Sequence, residues 1–180
     1  MNDARMQCAV CGATYELSQR YFCPKDKGEL SIVYDYDAIR KRGSFRKSSR
    51  EKAGTIERFL PLLPVARPES IVSLGEGRTP LVRSRRLAQR LGLRELYFKL
   101  ESCNPTGSFK DRQVSVAISA ANGWGAKRFA TVSSGNAGVA LSAHCARAGA
   151  QAFVWVSDDT AAPKRRQIQV YGARLFLFPG

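Results

Sequence analysis

The regular alternation of strand-like and helix-like segments between residues 96 and 178 constrains the fold of this chain most strongly. Four apolar runs are predicted strands: LYFKLES, RFATVSS, AFVWVS and RLFLF. The segments between these runs, residues 108–122, 137–148 and 163–171, are predicted helices. Strands that alternate with helices in this way predict an α/β fold, in which a parallel sheet is flanked by helices.

The first of these helices has the clearest helical periodicity. Its apolar side chains recur at i, i+3, i+4 and i+7, namely at Val114, Ala117, Ile118 and Ala121. We expect these four residues to form the buried stripe of the helix. Ser108 is its predicted N-cap, and Gly123 is predicted to end it.

Two loops of the predicted sheet are chemically unusual. Parallel α/β sheets bind ligands at the carboxyl ends of their strands, where loops lead into helices. ESCNPTGSFKDR, which starts at Glu101, and VSSGNAGVA, residues 132–140, both lie at such positions. We therefore expect the functional site at these two loops.

Lys110 in the first loop lies in the first turn of a predicted helix, where the helix dipole disfavours a cation. It could be an ordinary surface charge, a phosphate clamp or a covalent nucleophile. A cation in this position gives up its proton more readily, and a neutral amine is what covalent chemistry on a carbonyl group requires.

The second loop is rich in small polar residues, with Ser133, Ser134 and Gly135 followed by Asn136. Its backbone N–H groups and hydroxyls could hold a carboxylate or a phosphate. A turn of this composition is also common as a plain connection, and it lacks the glycine spacing of a dinucleotide site or a P-loop. Taken alone, the loop leaves both interpretations open.

A cysteine cluster lies near the N-terminus. Two residues separate Cys8 from Cys11, Cys23 follows after eleven more residues, and Asp26 stands where a zinc ribbon would have its fourth ligand. Structural zinc sites are overwhelmingly built from Cys and His. The pattern predicts a degenerate zinc-ribbon-like module, either with zinc or without it.

The rest of the chain suggests three regions. We predict the module at residues 1–34, a basic linker at 35–72 and the α/β domain at 73–180. Pro61 and Pro64 in the linker rule out a long regular helix there. Cys103 and Cys145 are expected to be small core residues. The module would have a small apolar core of Tyr15, Leu17, Tyr21, Phe22, Leu30, Ile32 and Val33.

The formal net charge of +14, from 29 Lys and Arg against 15 Asp and Glu, suggests an anionic partner. Much of the excess lies in RKRGSFRKSSREK, which we interpret as a solvated linker. The run contains one aromatic residue, Phe45, whereas a protein that binds single-stranded nucleic acid needs several aromatic side chains on which the bases can stack. No apolar run is long enough to span a bilayer and no signal peptide is evident, so a cytoplasmic location is expected.

Three motifs, LGEGRTPL, NPTGSFKDR and SSGNAG, resemble in their order and spacing those of threonine synthase. That family belongs to the pyridoxal-phosphate enzymes of the tryptophan-synthase-β type. The cysteine module followed by VYDYDAI and LLPV is similar to the ribbon-bearing form of the family. The resemblance covers nearly the whole chain.

The resemblance implies a role for each motif residue. Lys110 would form the Schiff base with pyridoxal phosphate and later move protons, with Phe109 beside the cofactor. Asn136 would bond the ring hydroxyl of the cofactor. The loop residues that would face the substrate carboxylate are Ser133, Ser134 and Gly135.

The resemblance also implies the reaction and the partners. The family substrate is O-phosphohomoserine, a small phosphorylated amino acid, which is converted with water to threonine and phosphate. A homodimer is one option for the full-length form, whereas neither a membrane nor a nucleic acid is an expected partner.

Two departures from the family pattern lead to further expectations. Asp26 replaces a cysteine, which puts zinc in question. The family's glycine-rich loop for the cofactor phosphate, and the Ser or Thr at the pyridine nitrogen, have no counterpart up to Gly180. We therefore expect an N-terminal portion of such a protein, with an exposed apolar flank on its sheet.

Other functions stay open from the sequence. Within the pyridoxal-phosphate class, they are threonine or serine dehydratase and cysteate or cysteine synthase. From another class, a non-catalytic remnant could bind anions or nucleic acid through its module and its basic linker.

Overall fold

The computed structural model of the chain describes residues 4–43 and 56–180. The basic run that we interpret as a linker lies, from residue 44 on, outside the described residues. None of the described helices is long and apolar enough to cross a membrane.

The N-terminal part forms a three-stranded antiparallel sheet with the order β2-β1-β3. Its strands are β1 Ala4–Cys8, β2 Thr14–Tyr15 and β3 Leu30–Tyr34. Helix α1, Tyr36–Arg42, follows this sheet. Asp35 caps the helix, because its carboxylate accepts a hydrogen bond from the N–H of Ala38 at 2.8 Å.

The core that we predict for this module is largely wrong. Tyr21, Phe22 and Ile32 are 77%, 60% and 45% exposed. The buried side chains instead alternate along β1, at Ala4, Met6 and Cys8. The reason is the strand order: β1 lies between the other two strands and is not among the predicted strands.

The middle of the chain contains short elements. A 3₁₀ helix spans Ile56–Leu62 and includes Pro61, in agreement with the expected absence of a long helix. Strands β4, Leu81–Arg83, and β5, Tyr97–Lys99, form an antiparallel pair on either side of α2, Arg85–Arg90. The LYFKLES strand was expected in the parallel sheet, but it pairs with β4 instead, so that prediction is wrong.

The parallel sheet has three described strands in the order β6-β7-β8. They are β6 Arg128–Val132, β7 Gln151–Ser157 and β8 Arg174–Phe178. The helices of this part are α3 Lys110–Gly123, α4 Asn136–Arg147 and α5 Ala162–Val170. This confirms an α/β fold with a parallel sheet and helices.

The two faces of the parallel sheet differ. On one face, Val154 and Val156 of β7 pack with Val139 of α4 and Ile168 of α5, all fully buried. On the other face, Trp155 stacks on Phe176 with ring centroids 4.8 Å apart, and Phe176 is 41% exposed. The expected apolar flank is therefore present on this second face.

Helix α3 buries a different stripe from the predicted one. Val114 and Ile118 are buried, but Ala117 is exposed. Ser115 and Ser119 are buried in its place. The hydroxyl of Ser119 accepts the backbone N–H of Val72 at 2.8 Å, so this face meets a polar backbone segment rather than an apolar surface.

Two smaller predictions need correction. Phe109, not Ser108, holds the N-cap position of α3, although the Ser108 hydroxyl accepts the N–H of Lys110 at 3.2 Å. Cys145 is buried as expected, but Cys103 is exposed because it lies in a short 3₁₀ turn after β5.

Candidate functional site

Lys110 is the first residue of α3 and follows a tight turn in which Gly107 has a φ of +82°. Its ammonium lies 4.8 Å from the centre of the Phe109 ring and donates to Gln113 Oε1 at 3.3 Å. The Phe109 ring is 55% exposed. Both contacts are local and uncharged, so the side chain can turn toward a ligand.

The neighbouring residue, Asp111, fixes the loop that precedes Lys110. Its carboxylate is fully buried and accepts both the backbone N–H of Thr106 at 2.8 Å and the Thr106 hydroxyl at 2.7 Å. Buried carboxylates are retained where hydrogen bonds of this kind satisfy them. The position of Lys110 is therefore set by a buried anchor one residue away.

A second network joins this loop to the segment LGEGRTPL. Arg112 forms a two-pronged pair with Glu101, with Nη2–Oε1 and Nε–Oε2 distances of 2.7 and 2.8 Å. These hydrogen bonds hold the pKa of Glu101 down at about 2. Asn104 Oδ1 accepts the N–H of Gly77 at 3.0 Å. This hydrogen bond joins the motif NPTGSFKDR to the motif LGEGRTPL.

Glu76 and His144 form a buried polar pair that the sequence analysis does not assign to the site. His144 Nε2 lies 3.6 Å from Glu76 Oε2, and His144 Nδ1 lies 3.9 Å from Asp111 Oδ1. Burial raises the pKa of Glu76, but the contact with His144 and backbone N–H groups outweigh it and bring the pKa to about 2. His144 is the one histidine of the chain and lies in a helix of small residues, and this is the sequence feature that could have indicated the pair.

The second loop is built around one serine hydroxyl. Ser133 Oγ accepts the N–H groups of Gly135 and Gly138, each at 3.3 Å. A Cβ atom on Gly138 would lie 2.7 Å from the Ser133 carbonyl oxygen, so the close turn requires glycine there. Ser134 is exposed at the tip of the turn.

Asn136, the first residue of α4, is exposed, and its Oδ1 accepts a hydrogen bond from Lys164 at 2.7 Å. Lys164 is a residue that sequence reasoning missed. Its place in the first turn of a helix, where the dipole disfavours a cation, is the sequence feature that could have identified it, as for Lys110.

The structure brings the predicted residues together in two groups. One group contains Phe109 and Lys110, and the other contains Ser133, Gly135 and Asn136. Helices α3 and α4, which begin at these groups, pack side by side through Ile118 and Ala140. Within residues 56–180, no described contact joins the Lys110 side chain to the second loop.

The N-terminal cysteines form a compact cluster. The ligand atoms of Cys8, Cys11, Cys23 and Asp26 all lie within 4.8 Å of one another. Cys8 Sγ is 3.3 Å from Asp26 Oδ1, and Cys11 Sγ is 3.8 Å from Cys23 Sγ. These are the four residues that the sequence singles out.

Backbone donors surround the first cysteine of this cluster. Cys8 Sγ accepts the N–H groups of Val10 at 3.3 Å and Cys11 at 3.4 Å. A Cβ atom on Gly28 would lie only 2.8 Å from Cys8 Sγ, so the backbone there passes the sulfur closely. These contacts hold the Cys8 sulfur in place within the cluster.

A family model described as pyridoxal-phosphate dependent enzyme matches residues 72–180. Threonine synthase of Methanocaldococcus jannaschii is 38% identical over 175 residues, or 97% of this chain and 43% of that protein. Threonine synthase of Methanosarcina acetivorans is 36% identical over 181 residues, or 97% and 42%. The chain thus spans less than half the length of these relatives.

Solved structures agree with this assignment. O-ureido-L-serine synthase matches with a TM-score of 0.54 and 34% identity over 62% of this chain and 34% of that chain. A pyridoxal 5'-phosphate-dependent aspartate racemase matches with a TM-score of 0.54 and 27% identity over 62% and 36%. The family model matches more than half of this chain's residues, so the chain belongs to the pyridoxal-phosphate dependent enzymes.

Proposed function

We propose that the protein acts as a threonine-synthase-type lyase, which converts O-phosphohomoserine and water to threonine and phosphate. Residues 73–180 would be the N-terminal part of its catalytic domain. The extent of the matches carries the proposal. The two threonine synthases align in sequence with 97% of this chain, including the cysteine module, which lies outside residues 72–180 of the family model.

The residues on the first loop suit a covalently held cofactor. When bound, pyridoxal phosphate would supply the electron sink of the reaction. Lys110 would hold it and move the proton at its Nζ atom, since Asp111 anchors the backbone and the described contacts of the lysine side chain are local and uncharged. The exposed ring of Phe109 would cover the cofactor from beside Lys110.

The second loop suits an anionic substrate group. The first N–H groups of α4 have no acceptor within the helix, and Ser134 and Asn136 are exposed. The Ser133 hydroxyl, which already accepts two N–H groups, still has its own proton to donate. We propose that Ser133, Ser134 and Gly135 bind the substrate carboxylate, and that Asn136 bonds the cofactor's ring hydroxyl.

Two measurements test this function. After incubation with pyridoxal phosphate and borohydride, mass spectrometry should find the label on Lys110, and the label should be absent in Lys110→Ala. With O-phosphohomoserine and the cofactor, the full-length form should release phosphate and threonine in equal amounts. Turnover of serine or phosphoserine instead would favour the dehydratase or cysteate-synthase alternatives. Salt-dependent retention on DNA without any labelling would favour the non-catalytic remnant.

The N-terminal cluster supports a second proposal, a zinc-ribbon-like module that binds one zinc ion. Three thiols and one carboxylate within 4.8 Å offer four ligands, although the carboxylate is an unusual member of a structural zinc site. The pKa of Asp26 is lowered, chiefly by a hydrogen bond from the Cys11 thiol. Zinc would displace the proton of this thiol, because the metal binds the thiolate form of cysteine.

Metal analysis tests this second proposal. We expect one zinc per chain in the unaltered protein and a loss of zinc in Cys11→Ser. Cys103→Ser is the matched control, because Cys103 is also exposed but lies outside the cluster. Equal zinc contents in the two variants would contradict the proposal.

A homodimer of the full-length form and a cytoplasmic location stay predictions.

A further inference from the structure

Lys164 makes a contact that neither the fold nor the assigned motifs explain. It lies in the first turn of α5, and its ammonium donates to Asn136 Oδ1 at 2.7 Å and to Gln167 Oε1 at 3.4 Å. The first turn of α5 contains no acidic residue, and within residues 4–43 and 56–180 Lys164 takes part in no ion pair. The helix dipole also disfavours a cation there. The position of Lys164 therefore has a cost for the helix that no ion pair among the described residues offsets.

We propose that Lys164 is a positioning residue that fixes the side-chain amide of Asn136, so that its Nδ2 group faces the cofactor. The proposal rests on the function proposed for Asn136. It adds a residue from α5 to a site that otherwise consists of the two motif loops.

The chemistry of the two groups supports this role. An ammonium only donates hydrogen bonds, whereas an amide has an accepting oxygen and a donating nitrogen. Lys164 can therefore bond only Oδ1, and this selects one of the two orientations of the Asn136 amide. The Nδ2 protons then remain for an acceptor on the opposite side, such as the oxygen on the cofactor ring. The nearby positive charge also makes these N–H groups stronger donors.

A second lysine–asparagine pair in the same chain provides a control. Lys127 Nζ donates to Asn122 Oδ1 at 3.4 Å, and both lie near the end of α3, away from the two loops. Both lysine contacts are exposed to solvent. Lys127→Met therefore removes an equivalent surface charge and contact without reaching the site.

The first experiment measures covalent labelling of Lys110 as a function of pyridoxal phosphate concentration, with borohydride trapping. Lys164→Met should raise the half-saturating concentration about tenfold, the size expected for a charge-assisted hydrogen bond, whereas Lys127→Met should leave it unchanged. Asn136→Ala should have a similar effect. Since Lys164 acts through Asn136, the double variant should show no further loss.

Several outcomes would overturn the inference. Additive losses in the double variant would mean that Lys164 acts on the cofactor independently, for example as a charge that attracts its phosphate. Equal labelling curves for Lys164→Met and the unaltered protein would refute the positioning role of Lys164. Labelling that is absent from Lys110 even in the unaltered protein would instead refute the proposed function.

A second measurement needs no cofactor. In the ¹⁵N-labelled chain, the side-chain amide resonances of Asn136 should move in Lys164→Met and Lys164→Ala but not in Lys127→Met. Lys164→Arg, which keeps a charged donor, should move them less. An Asn136 amide that is insensitive to all Lys164 variants would refute the positioning contact whatever the labelling shows.

Discussion

At the scale of single residues, the candidate site is built from side chains and glycines whose surroundings tolerate little change. Asp111 is held by two hydrogen bonds from Thr106, and Gly138 has no room for a methyl group. Lys110, in contrast, is half-buried, and its described side-chain contacts, with Gln113 and the Phe109 ring, are local. The rigid Asp111 thus lies directly beside a side chain that can move, as expected of a cofactor-binding lysine.

We predict that Gly138→Ala destabilises the protein by about 1–3 kcal/mol, the usual range for an added methyl group in a packed site. The new Cβ would lie 2.7 Å from the Ser133 carbonyl oxygen and 3.1 Å from Val154 Cγ1. Urea unfolding measures the loss. Gly135→Ala is the control, because its Cβ would meet nothing within 4 Å. Equal unfolding midpoints for the two variants would contradict the packing argument.

Lys110→Ala should leave the free energy of unfolding unchanged or raise it by about 0.3–1 kcal/mol, because it removes a cation from the N-terminus of α3. Lys127→Ala, beyond the other end of the helix, should bring no such gain. Thermal unfolding of both variants checks this. A destabilisation by Lys110→Ala well above 1 kcal/mol would show that the lysine has a structural role.

At the scale of elements, helices α3 and α4 look alike in sequence but have different roles. Both bury serines whose hydroxyls donate to the carbonyl one turn earlier: Ser119 to Ser115 at 2.6 Å and Ser142 to Gly138 at 2.7 Å. Only Ser119 also accepts a hydrogen bond from another segment, from the N–H of Val72 at 2.8 Å. Helix α3 therefore holds the segment that leads into LGEGRTPL through this hydroxyl, whereas α4 packs on the sheet and meets the motif through His144 and Glu76.

We expect Ser119→Ala to cost about 1–3 kcal/mol, because it leaves the buried N–H of Val72 without its acceptor. Ser142 is equally buried, but Ser142→Ala should cost clearly less. The Gly138 carbonyl would lose the hydrogen bond from the Ser142 hydroxyl but keep its backbone hydrogen bond within the helix. Urea unfolding curves of the two variants provide the comparison. Equal costs would mean that the contact with Val72 contributes nothing.

At the scale of the whole molecule, several buried or paired carboxylates favour the folded state above acid pH. Hydrogen bonds from Arg112 lower the pKa of Glu101 from 4.5 to about 2. Glu76 also has its pKa lowered from 4.5 to about 2, because its contact with His144 and backbone N–H groups outweigh burial. A lowered pKa in the folded state contributes stability above the unfolded value, and this contribution is lost as the pH falls toward the folded value.

The free energy of unfolding should therefore fall between about pH 4.5 and pH 2, where these carboxylates take up protons. Glu101→Gln should reduce this fall, because an amide does not titrate. Urea midpoints at pH 7 and pH 3 measure the difference. Glu16→Gln serves as the control, since Glu16 is 82% exposed and its ion pair among the described residues is the one with Arg5 at 3.4 Å. An equal fall in both variants would refute the role of the Glu101–Arg112 pair.

Local sequence patterns by themselves determined the order of strands and helices after residue 96 and the residues of the two loops. Helix and strand periods are local, and the predicted RLFLF strand coincides with β8, Arg174–Phe178. The same reasoning found Lys110 from its unusual place at the start of a helix. The cysteine spacing likewise identified the four residues that meet in the cluster.

Only the tertiary structure decided which strands pair and which distant side chains meet. Nothing local distinguishes β5, which pairs antiparallel with β4, from a strand of the parallel sheet. The contact between Lys164 and Asn136, and the burial of Glu76 against His144, join residues 28 and 68 positions apart along the chain. Such contacts depend on how whole elements pack, and sequence periodicity contains no information about that packing.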